Sequence, residues 1–339
     1  MSEPAAGAGL LGSPESVFCT YPIPEPGLFI LRMHFDTGVF SGAQAPAPAE
    51  IVQGAAGCAG LVALVRDQVS DEVMAALPRL RAVANYGVGY DNVDLNAASR
   101  RGVLVTNTPD VLTEATADLT WALLLALARR LGEGERMVRA GKFHGWDPRM
   151  LLGADVSGAT LGLVGFGRIA HAVARRAQGF AMSVIYSSRR EDRQAESMGM
   201  VRVPLERVLQ EADFVSIHVA LTPETRHLID AGALRRMRPT AYLINTSRGP
   251  VVDEVALLQA LREGWIAGAA LDVYEREPDV PVALRRLENV VLLPHLGSAT
   301  RNARAGMARL CALNMVAALS GQVPPNLVNR DVLGIGVRD

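Results

Sequence analysis

Short apolar runs alternate with amphipathic stretches along most of the chain from residue 17 onward. In the first third, apolar runs predict strands over residues 17–20, 60–65, 81–85 and 103–106. Helical periodicity covers residues 26–35 and 71–77, and the proline-containing segment 43–48 predicts a loop. Strands that alternate with helices in this way favour parallel β-α-β units.

A long apolar helix is predicted next, beginning near Thr113, which is the expected N-cap. Leucine recurs at positions 119, 123, 127 and 131, and Leu124 widens the same stripe. A helix this apolar needs a large surface to cover it.

After residue 159 the alternation becomes clearer. Strands are predicted over residues 160–164, 183–186, 214–218, 241–245, 267–273 and 290–293, with helices over 168–178, 205–210, 231–237 and 253–263. Six strands with interposed helices are typical of a doubly wound dinucleotide-binding domain. A further helix is predicted over residues 302–319.

Length and charge narrow the class of protein. The chain has 339 residues, which predicts two domains at about 100–200 residues each. With 34 basic and 35 acidic residues the net charge is −1, which argues against a general nucleic-acid or membrane-surface protein. Hydrophobic residues make up 49% of the chain, enough to exclude a disordered protein.

Cysteine spacing and the N-terminus indicate the compartment. The three cysteines lie far apart at positions 19, 58 and 311, so a disulfide scaffold or a zinc site is not expected and a cytoplasmic location is. Residues 1–14 are rich in Ala, Gly and Pro without a basic segment and predict a flexible tail, not a signal peptide. The most apolar run, 119–128, is about half the length that a membrane span needs.

A glycine motif marks a nucleotide site. Gly165 and Gly167, followed by Ala170, fit G-x-G-x-x-G/A at a predicted strand-to-helix junction. The first glycine permits a tight turn, the second lets the backbone approach a pyrophosphate, and the third position must be small for helix–strand packing. The N-terminus of the helix then offers free N–H groups to the phosphates.

The next strand indicates which dinucleotide binds. In NAD sites an Asp or Glu about 20 residues after the glycines holds the ribose hydroxyls. Here that position is occupied by Ser188, followed by Arg189 and Arg190, which can bind a 2′-phosphate that a carboxylate would repel. The sequence favours NADPH, with NADH as the alternative. The two arginines could instead form a solvated turn that Glu191 partly neutralises.

Three polar residues each follow a predicted strand of this second half: Arg248, Glu277 and His295. Ligands of open α/β sheets bind outside the carboxyl ends of the strands, so these side chains are expected to share one crevice. Reduction of a carbonyl by hydride needs a proton donor, which His supplies near neutral pH, and a carboxylate beside the ring raises its pKa and fixes its tautomer. Arginine can hold a carbonyl and an adjacent carboxylate. Taken singly, Arg248 also fits a surface turn, Glu277 a solvated residue before a proline, and His295 a loop histidine with its hydrogen bonds satisfied.

With these residues the chain resembles the D-isomer-specific 2-hydroxyacid dehydrogenases, and within them the glyoxylate/hydroxypyruvate reductase branch. The resemblance spans about residues 17–329. It is carried by segments 85–94, 106–109, 114–118 and 221–225, by the Gly165 loop, and by the segments around Arg248, Glu277 and His295.

The resemblance implies a role for each matching residue. His295 is the expected acid/base, Glu277 its partner and Arg248 the substrate binder, while backbone N–H groups at Val88 and Gly89 are expected to hold the substrate carboxylate. The cofactor is expected to be lined by Thr116, Gly165, Gly167, Arg168, Ile169, Ser188, Arg189, Arg190, Val219, Thr246, Asp272, His295, Gly297 and Ser298. No metal is expected.

The resemblance also implies the architecture. Two Rossmann-like or flavodoxin-like α/β domains with parallel sheets are expected, with an active-site cleft between them. Residues 15–112 and 300–330 would form the substrate domain, and 113–299 the NAD(P)-binding domain. Such enzymes form homodimers through the cofactor domain, which would account for the apolar helix at Thr113.

The activity expected from this resemblance is NADPH-dependent reduction of small 2-oxo acids to D-2-hydroxy acids. Glyoxylate, hydroxypyruvate and 2-ketogluconate are the candidate substrates, with no nucleic-acid or membrane partner. One alternative is a nucleotide-sensing scaffold of the corepressor kind. Another is phosphite dehydrogenase, which residues 141–146 resemble, but Val88 stands where those enzymes carry a lysine. Trp146 is hypothesised to shape the pocket of a neighbouring subunit, or to pack in the interface only.

Overall fold

A computed structural model describes residues 15–334, so the predicted tail 1–14 lies outside the described residues. The chain forms two compact units. Of the described residues, unit 1 comprises 15–111 and 301–334, and unit 2 comprises Leu112–Thr300. Within the described chain, no helix is both long and apolar enough to cross a membrane.

Unit 1 is a parallel five-stranded sheet covered by helices. Its elements are β1 (Ser16–Cys19), α1 (Gly27–His34), β2 (Asp36–Val39), α2 (Pro48–Gly54), β3 (Gly60–Leu64), α3 (Asp71–Ala75), β4 (Ala82–Tyr86), α4 (Leu95–Arg100), β5 (Leu104–Thr106) and α13 (Arg301–Leu319). The strand order is β2-β1-β3-β4-β5. Central strands β3 and β4 are almost wholly buried, as expected for a parallel sheet covered on both faces.

Helix α13 returns the end of the chain to this sheet. Gly27 at the start of α1 lies so close to it that a Cβ would come within 2.4 Å of the Ala308 carbonyl oxygen. Tyr86 at the end of β4 donates its hydroxyl to the Arg304 carbonyl at 2.8 Å. These contacts join the two ends of the sequence into one unit.

Unit 2 is a parallel seven-stranded sheet with helices on both faces. Its elements are α5 (Thr113–Ala128), α6 (Leu131–Arg139), β6 (Thr160–Val164), α7 (Arg168–Ala177), β7 (Ser183–Ser187), α8 (Arg193–Ser197), β8 (Val201–Arg202), α9 (Leu205–Glu211), β9 (Phe214–Ile217), α10 (Ala231–Arg236), β10 (Tyr242–Asn245), α11 (Glu254–Glu263), β11 (Gly268–Leu271), α12 (Val282–Arg285) and β12 (Val290–Leu292).

The strand order of unit 2 is β12-β11-β10-β9-β6-β7-β8. From β6 the chain runs outward to β7 and β8 and then returns to β9 on the other side of β6. The order therefore reverses between β6 and β9, and ligands of such sheets bind outside the carboxyl ends of the strands at that point. The two parallel sheets with their helices confirm the predicted α/β class.

Helix α5 differs from the prediction in three ways: in its N-cap, in what covers its apolar stripe and in where it ends. Leu112 is the N-cap, without a side-chain capping bond, and Thr113 is the first helical residue. Of the predicted apolar stripe, Leu123, Leu124 and Leu127 are buried in the core of unit 2 itself, so a dimer contact is not what covers them. The helix also stops at Ala128, and Leu131 begins the separate helix α6, where it is exposed.

Candidate active site

The turn after β6 has a backbone that only glycine fits. Gly165 has φ +88°, and a Cβ there would lie 2.8 Å from the carbonyl carbon and oxygen of His218 at the end of β9. Its N–H donates to the Ser187 carbonyl at 2.9 Å. The glycine turn is therefore fixed between the carboxyl ends of β7 and β9, the strands on either side of β6.

Helix α7 begins directly after this turn with its N-terminus open. Gly167 is exposed, a Cβ there would meet no atom within 4 Å, and no side chain caps the helix. Ala170, by contrast, is fully buried against the sheet. Uncapped N–H groups at the positive end of a ten-residue helix, beside open space, fit the pyrophosphate of a dinucleotide.

The segment after β7 carries no acidic residue at its start. Ser188 is partly buried and donates its hydroxyl to the Arg190 carbonyl, while Arg189 and Arg190 are exposed. Asp192, further along, is hydrogen-bonded to His171 on α7 at 2.6 Å. This bond lowers the pKa of the Asp192 carboxyl group. The exposed charge that directly follows the strand is positive.

The turn after β10 positions Arg248 through Asn245. The Asn245 side chain donates to the Arg248 carbonyl at 3.0 Å and accepts from the Ser247 N–H at 3.0 Å. Thr246 is buried, and its hydroxyl lies 3.0 Å from that of Thr120 on α5. These bonds fix the backbone from which the Arg248 side chain extends.

A close backbone approach links this turn to the segment after β11. A Cβ on Gly249 would lie 1.9 Å from the carbonyl carbon and oxygen of Tyr274, so no larger residue fits without a backbone shift. The Tyr274 N–H donates to Glu277 Oε1 at 3.0 Å, and its hydroxyl donates to the Leu293 carbonyl at 2.9 Å. Gly249 and Tyr274 thus hold the segments of Arg248 and Glu277 side by side.

His295 and Glu277 form a hydrogen-bonded pair. Nδ1 of His295 lies 2.8 Å from Glu277 Oε2, and each side chain is about one-third exposed, 34% and 35%. Burial by itself would raise the pKa of Glu277. The hydrogen bond and positive charge of His295, the Tyr274 N–H and the charge of Arg248 outweigh it and lower that pKa. Glu277 is therefore ionised at neutral pH.

The loop that carries His295 is fixed by Asp272, the residue that follows β11. His295 itself has φ +56°, and its N–H donates to the Asp272 carbonyl at 2.9 Å. The buried Asp272 carboxylate accepts the N–H groups of Leu296 at 2.6 Å and Gly297 at 2.8 Å. Burial raises the pKa of Asp272 in spite of these bonds. The Thr116 hydroxyl donates to the Gly297 carbonyl at 3.1 Å.

The remaining predicted cofactor residues lie along the same edge of the unit 2 sheet. Val219 follows β9, and its Cγ1 lies 2.7 Å from the position of a Cβ on Gly165. Arg168 and Ile169 form the first turn of α7, and Ser298 follows Gly297 in the loop tied to Asp272. The structure therefore brings the predicted residues of unit 2 to the carboxyl ends of its strands.

Val88 and Gly89 belong to unit 1, in the loop between β4 and α4. Asn107 donates its amide to the Val88 carbonyl at 2.8 Å, and Asn85 donates to the Gly89 carbonyl at 2.7 Å. Neither the Val88 nor the Gly89 N–H donates to another residue in the described part of the chain. Both carbonyls are thus held by asparagine side chains.

A buried polar network supports this loop. Asn92 donates its amide to the carbonyls of Leu64 and Asp67, each at 3.0 Å, and to Asn85 Oδ1 at 3.1 Å. Asp67 accepts from the Leu64 N–H at 2.6 Å and from the Thr20 hydroxyl at 2.5 Å, and burial raises its pKa. Sequence reasoning did not identify the asparagines, Gly249 or Tyr274. Only Asn85 and Asn245 carry a signal in the sequence, since each is a polar residue near the end of an otherwise apolar strand.

Comparison with known proteins gives the family. The model of the D-isomer-specific 2-hydroxyacid dehydrogenase NAD-binding domain matches residues 121–297, more than half of the chain. The chain belongs to this family. It is accordingly an oxidoreductase enzyme, as its sequence predicts.

Relatives of the enzyme match over nearly its whole length. Proteins named glyoxylate reductase are 52% identical in Korarchaeum cryptofilum and 50% identical in Thermococcus litoralis, each over 94% of this chain and 97% of the relative. A solved NADPH-dependent glyoxylate/hydroxypyruvate reductase from Sinorhizobium meliloti, in complex with NADP and malonate, is 37% identical. The match between the two structures covers 93% of this chain and 97% of that protein's chain, with a TM-score of 0.85.

Proposed function

We propose that the enzyme reduces small 2-oxo acids, glyoxylate first, to D-2-hydroxy acids or glycolate with NADPH as the preferred reductant. The observation that carries the proposal is the His295–Glu277 pair, placed with Arg248 at the carboxyl ends of adjacent strands. The names of the relatives support glyoxylate as substrate. The NADP in the Sinorhizobium meliloti structure supports the cofactor.

Proton transfer is assigned to His295. Because Glu277 is ionised and accepts from Nδ1, the other ring nitrogen, Nε2, is the one that donates a proton to the developing oxyanion. Glu277 stabilises the imidazolium before transfer and holds the ring in one orientation. The bound reduced nicotinamide supplies the hydride, and this chain supplies the proton and the orientation.

Substrate binding is assigned to Arg248 and to the loop of unit 1 that contains Val88 and Gly89. A guanidinium can donate two parallel hydrogen bonds to a carboxylate, or bridge a carboxylate and the neighbouring carbonyl. The two N–H groups of the loop are fixed by the asparagine tethers on their carbonyls and suit a carboxylate oxygen. A 2-oxo acid offers both acceptor groups on adjacent carbons.

Cofactor binding is assigned to the edge of unit 2 described above. The open N-terminus of α7 would bind the pyrophosphate, and Ser188, Arg189 and Arg190 would bind a 2′-phosphate. Thr116, Val219, Thr246, Asp272 and Ser298 would line the rest of the site. We further propose a cytoplasmic enzyme without a nucleic-acid partner.

We also propose a homodimer formed through unit 2. Several large apolar side chains of α6 and the segment after it are exposed in the chain, among them Val138 (63%), Phe143 (51%) and Trp146 (81%). Exposed apolar groups clustered in sequence are typical of a surface that a partner covers. Light scattering of the purified enzyme should give twice the chain mass, and Trp146→Ala should shift it toward the monomer. A wild-type monomer would contradict the proposal.

Steady-state oxidation of NADPH and NADH against glyoxylate, hydroxypyruvate and 2-ketogluconate tests the activity. We expect turnover with all three acids and a higher kcat/KM with NADPH. A preference for NADH would keep the reaction and overturn the cofactor assignment. Cofactor binding without turnover of any acid would instead favour the scaffold alternative, and reduction of NAD by phosphite would favour the phosphite alternative.

A further inference from the structure

A third arginine, Arg202, donates hydrogen bonds to the backbone of the Ser188–Arg189–Arg190 segment. Arg202 belongs to the short edge strand β8, which pairs with β7 so that Tyr186 is opposite Arg202. Its side chain reaches past the end of β7 to the segment that follows. Nε and Nη2 donate to the Ser188 carbonyl at 3.0 and 2.9 Å, and Nη2 also donates to the Arg189 carbonyl at 3.2 Å.

These bonds fix the backbone direction of the segment. The carbonyls of Ser188 and Arg189 face Arg202, and the Arg190 carbonyl accepts the Ser188 hydroxyl. Three successive carbonyls therefore have intramolecular donors, while the side chains of Arg189 and Arg190 are exposed. A guanidinium suits this task because its planar array of donors can serve two acceptors at once.

The two acidic residues that directly follow the arginines, Glu191 and Asp192, each contact a side chain of another element. Arg202 Nη1 lies 3.6 Å from Glu191 Oε1, and Asp192 accepts from His171. Arg189 also lies within electrostatic reach of Glu224, whose pKa its charge helps to lower. The exposed side chains of Arg189 and Arg190 remain accessible to an anion.

We propose that Arg202 is a positioning residue that determines specificity for the 2′-phosphate of NADPH, because it holds the backbone carbonyls of Ser188 and Arg189. This inference rests on the proposed NADPH dependence. It makes a separate claim, since it concerns how the ratio of NADPH to NADH efficiency depends on one residue outside the segment that contacts the phosphate.

The test compares Arg202→Met, which removes the charge and the donors, with Arg202→Lys, which keeps the charge and N–H donors but not the planar array that reaches two carbonyls. Arg207→Met is the matched control, because Arg207 is an exposed arginine on α9 that pairs with Glu211 at 2.7 Å. Binding is measured by calorimetry with adenosine 2′,5′-bisphosphate and with 5′-AMP, which differ only in the 2′-phosphate. Steady-state kinetics with glyoxylate are measured with both cofactors.

Arg202→Met should weaken binding of the bisphosphate about tenfold and raise the KM for NADPH by a similar factor. The kcat, the KM for NADH and the affinity for 5′-AMP should stay within about twofold of the wild-type values. Arg202→Lys should recover part of the loss, and Arg207→Met should match the wild type. An equal loss for both nucleotides, or none for either, would overturn the inference. A wild-type preference for NADH would overturn the cofactor assignment alone, because the change caused by Arg202→Met is judged on the ratio.

Discussion

At the scale of single residues, the Glu277–His295 bond is the contact on which the proposed proton transfer depends. Glu277→Gln keeps the size of the side chain and removes the charge that stabilises a protonated His295. We expect kcat for glyoxylate to fall about 10²-fold, within the usual range for general acid–base groups. Fluorescence titration should show an unchanged Kd for NADPH.

An exposed carboxylate provides the control for that variant. Glu206→Gln on α9 removes a charge from the same unit without touching the pair and should retain full activity. A Glu277→Gln enzyme with kcat within twofold of the wild type would contradict the role assigned to Glu277.

The lowered pKa of Glu277 predicts how the stability of the protein depends on pH. Because the pKa of Glu277 is lower in the folded protein than in the unfolded chain, its stabilisation is complete above the unfolded value, about 4.3. It is lost as the pH falls through the folded value. In urea unfolding between pH 6 and 3.5, the free energy of unfolding of the wild type should therefore decline more steeply than that of Glu277→Gln. Parallel curves would show that the pair does not contribute.

At the scale of elements, Gly249 joins the segments that follow β10 and β11. Gly249→Ala places a methyl group 1.9 Å from the Tyr274 backbone, so one segment must move. We expect a loss of about 1–3 kcal/mol in the free energy of unfolding and a large loss of kcat, because Arg248 and Glu277 are displaced from each other. Gly179→Ala is the control, since a Cβ there meets no atom within 4 Å. Equal stability and activity in the two variants would refute this reading of the contact.

The loop of unit 1 gives a prediction that separates substrate from cofactor. Asn107→Ala removes the amide that holds the Val88 carbonyl, so the N–H groups assigned to the substrate carboxylate lose their fixed direction. The KM for glyoxylate should rise about tenfold, with kcat within threefold and the Kd for NADPH unchanged, as when uniform binding is lost. Asn96→Ala, an exposed asparagine on α4, should behave as the wild type. A higher Kd for NADPH would argue against the assignment.

Elements could be predicted from the sequence where burial imposes a pattern. The central strands are near-continuous apolar runs, and α11 is marked by its cap Asp253 and by Gly264 at φ +71°. Short edge strands such as β2 and β8 bury little, so their sequences carry no alternation and the pattern predicts neither of them. Arg248, Glu277 and His295 could be proposed because each follows a strand. Their supports, Gly249 and Asn107, depend on contacts between segments that a single stretch of sequence does not contain.

At the scale of the whole molecule, the two units differ in whether they are formed from one continuous segment of the sequence. Unit 2 is one uninterrupted segment, Leu112–Thr300, and the clusters of apolar side chains on the two faces of its sheet are drawn entirely from that segment. Unit 1 is assembled from both ends of the sequence. A continuous segment with its own core is expected to fold alone.

We therefore predict that a fragment of residues 112–300 folds cooperatively and binds NADPH within about tenfold of the intact enzyme, because the residues assigned to the cofactor all lie in it. It should not reduce glyoxylate, since Val88 and Gly89 are absent. Thermal unfolding with and without NADPH measures both properties, and Gly167→Ala in the fragment should weaken the stabilisation by placing a methyl group on the open surface beside α7. A fragment that folds but gains no stability from NADPH would place part of the cofactor site in unit 1. A fragment that turns over glyoxylate would show that the loop of Val88 and Gly89 is not needed for catalysis.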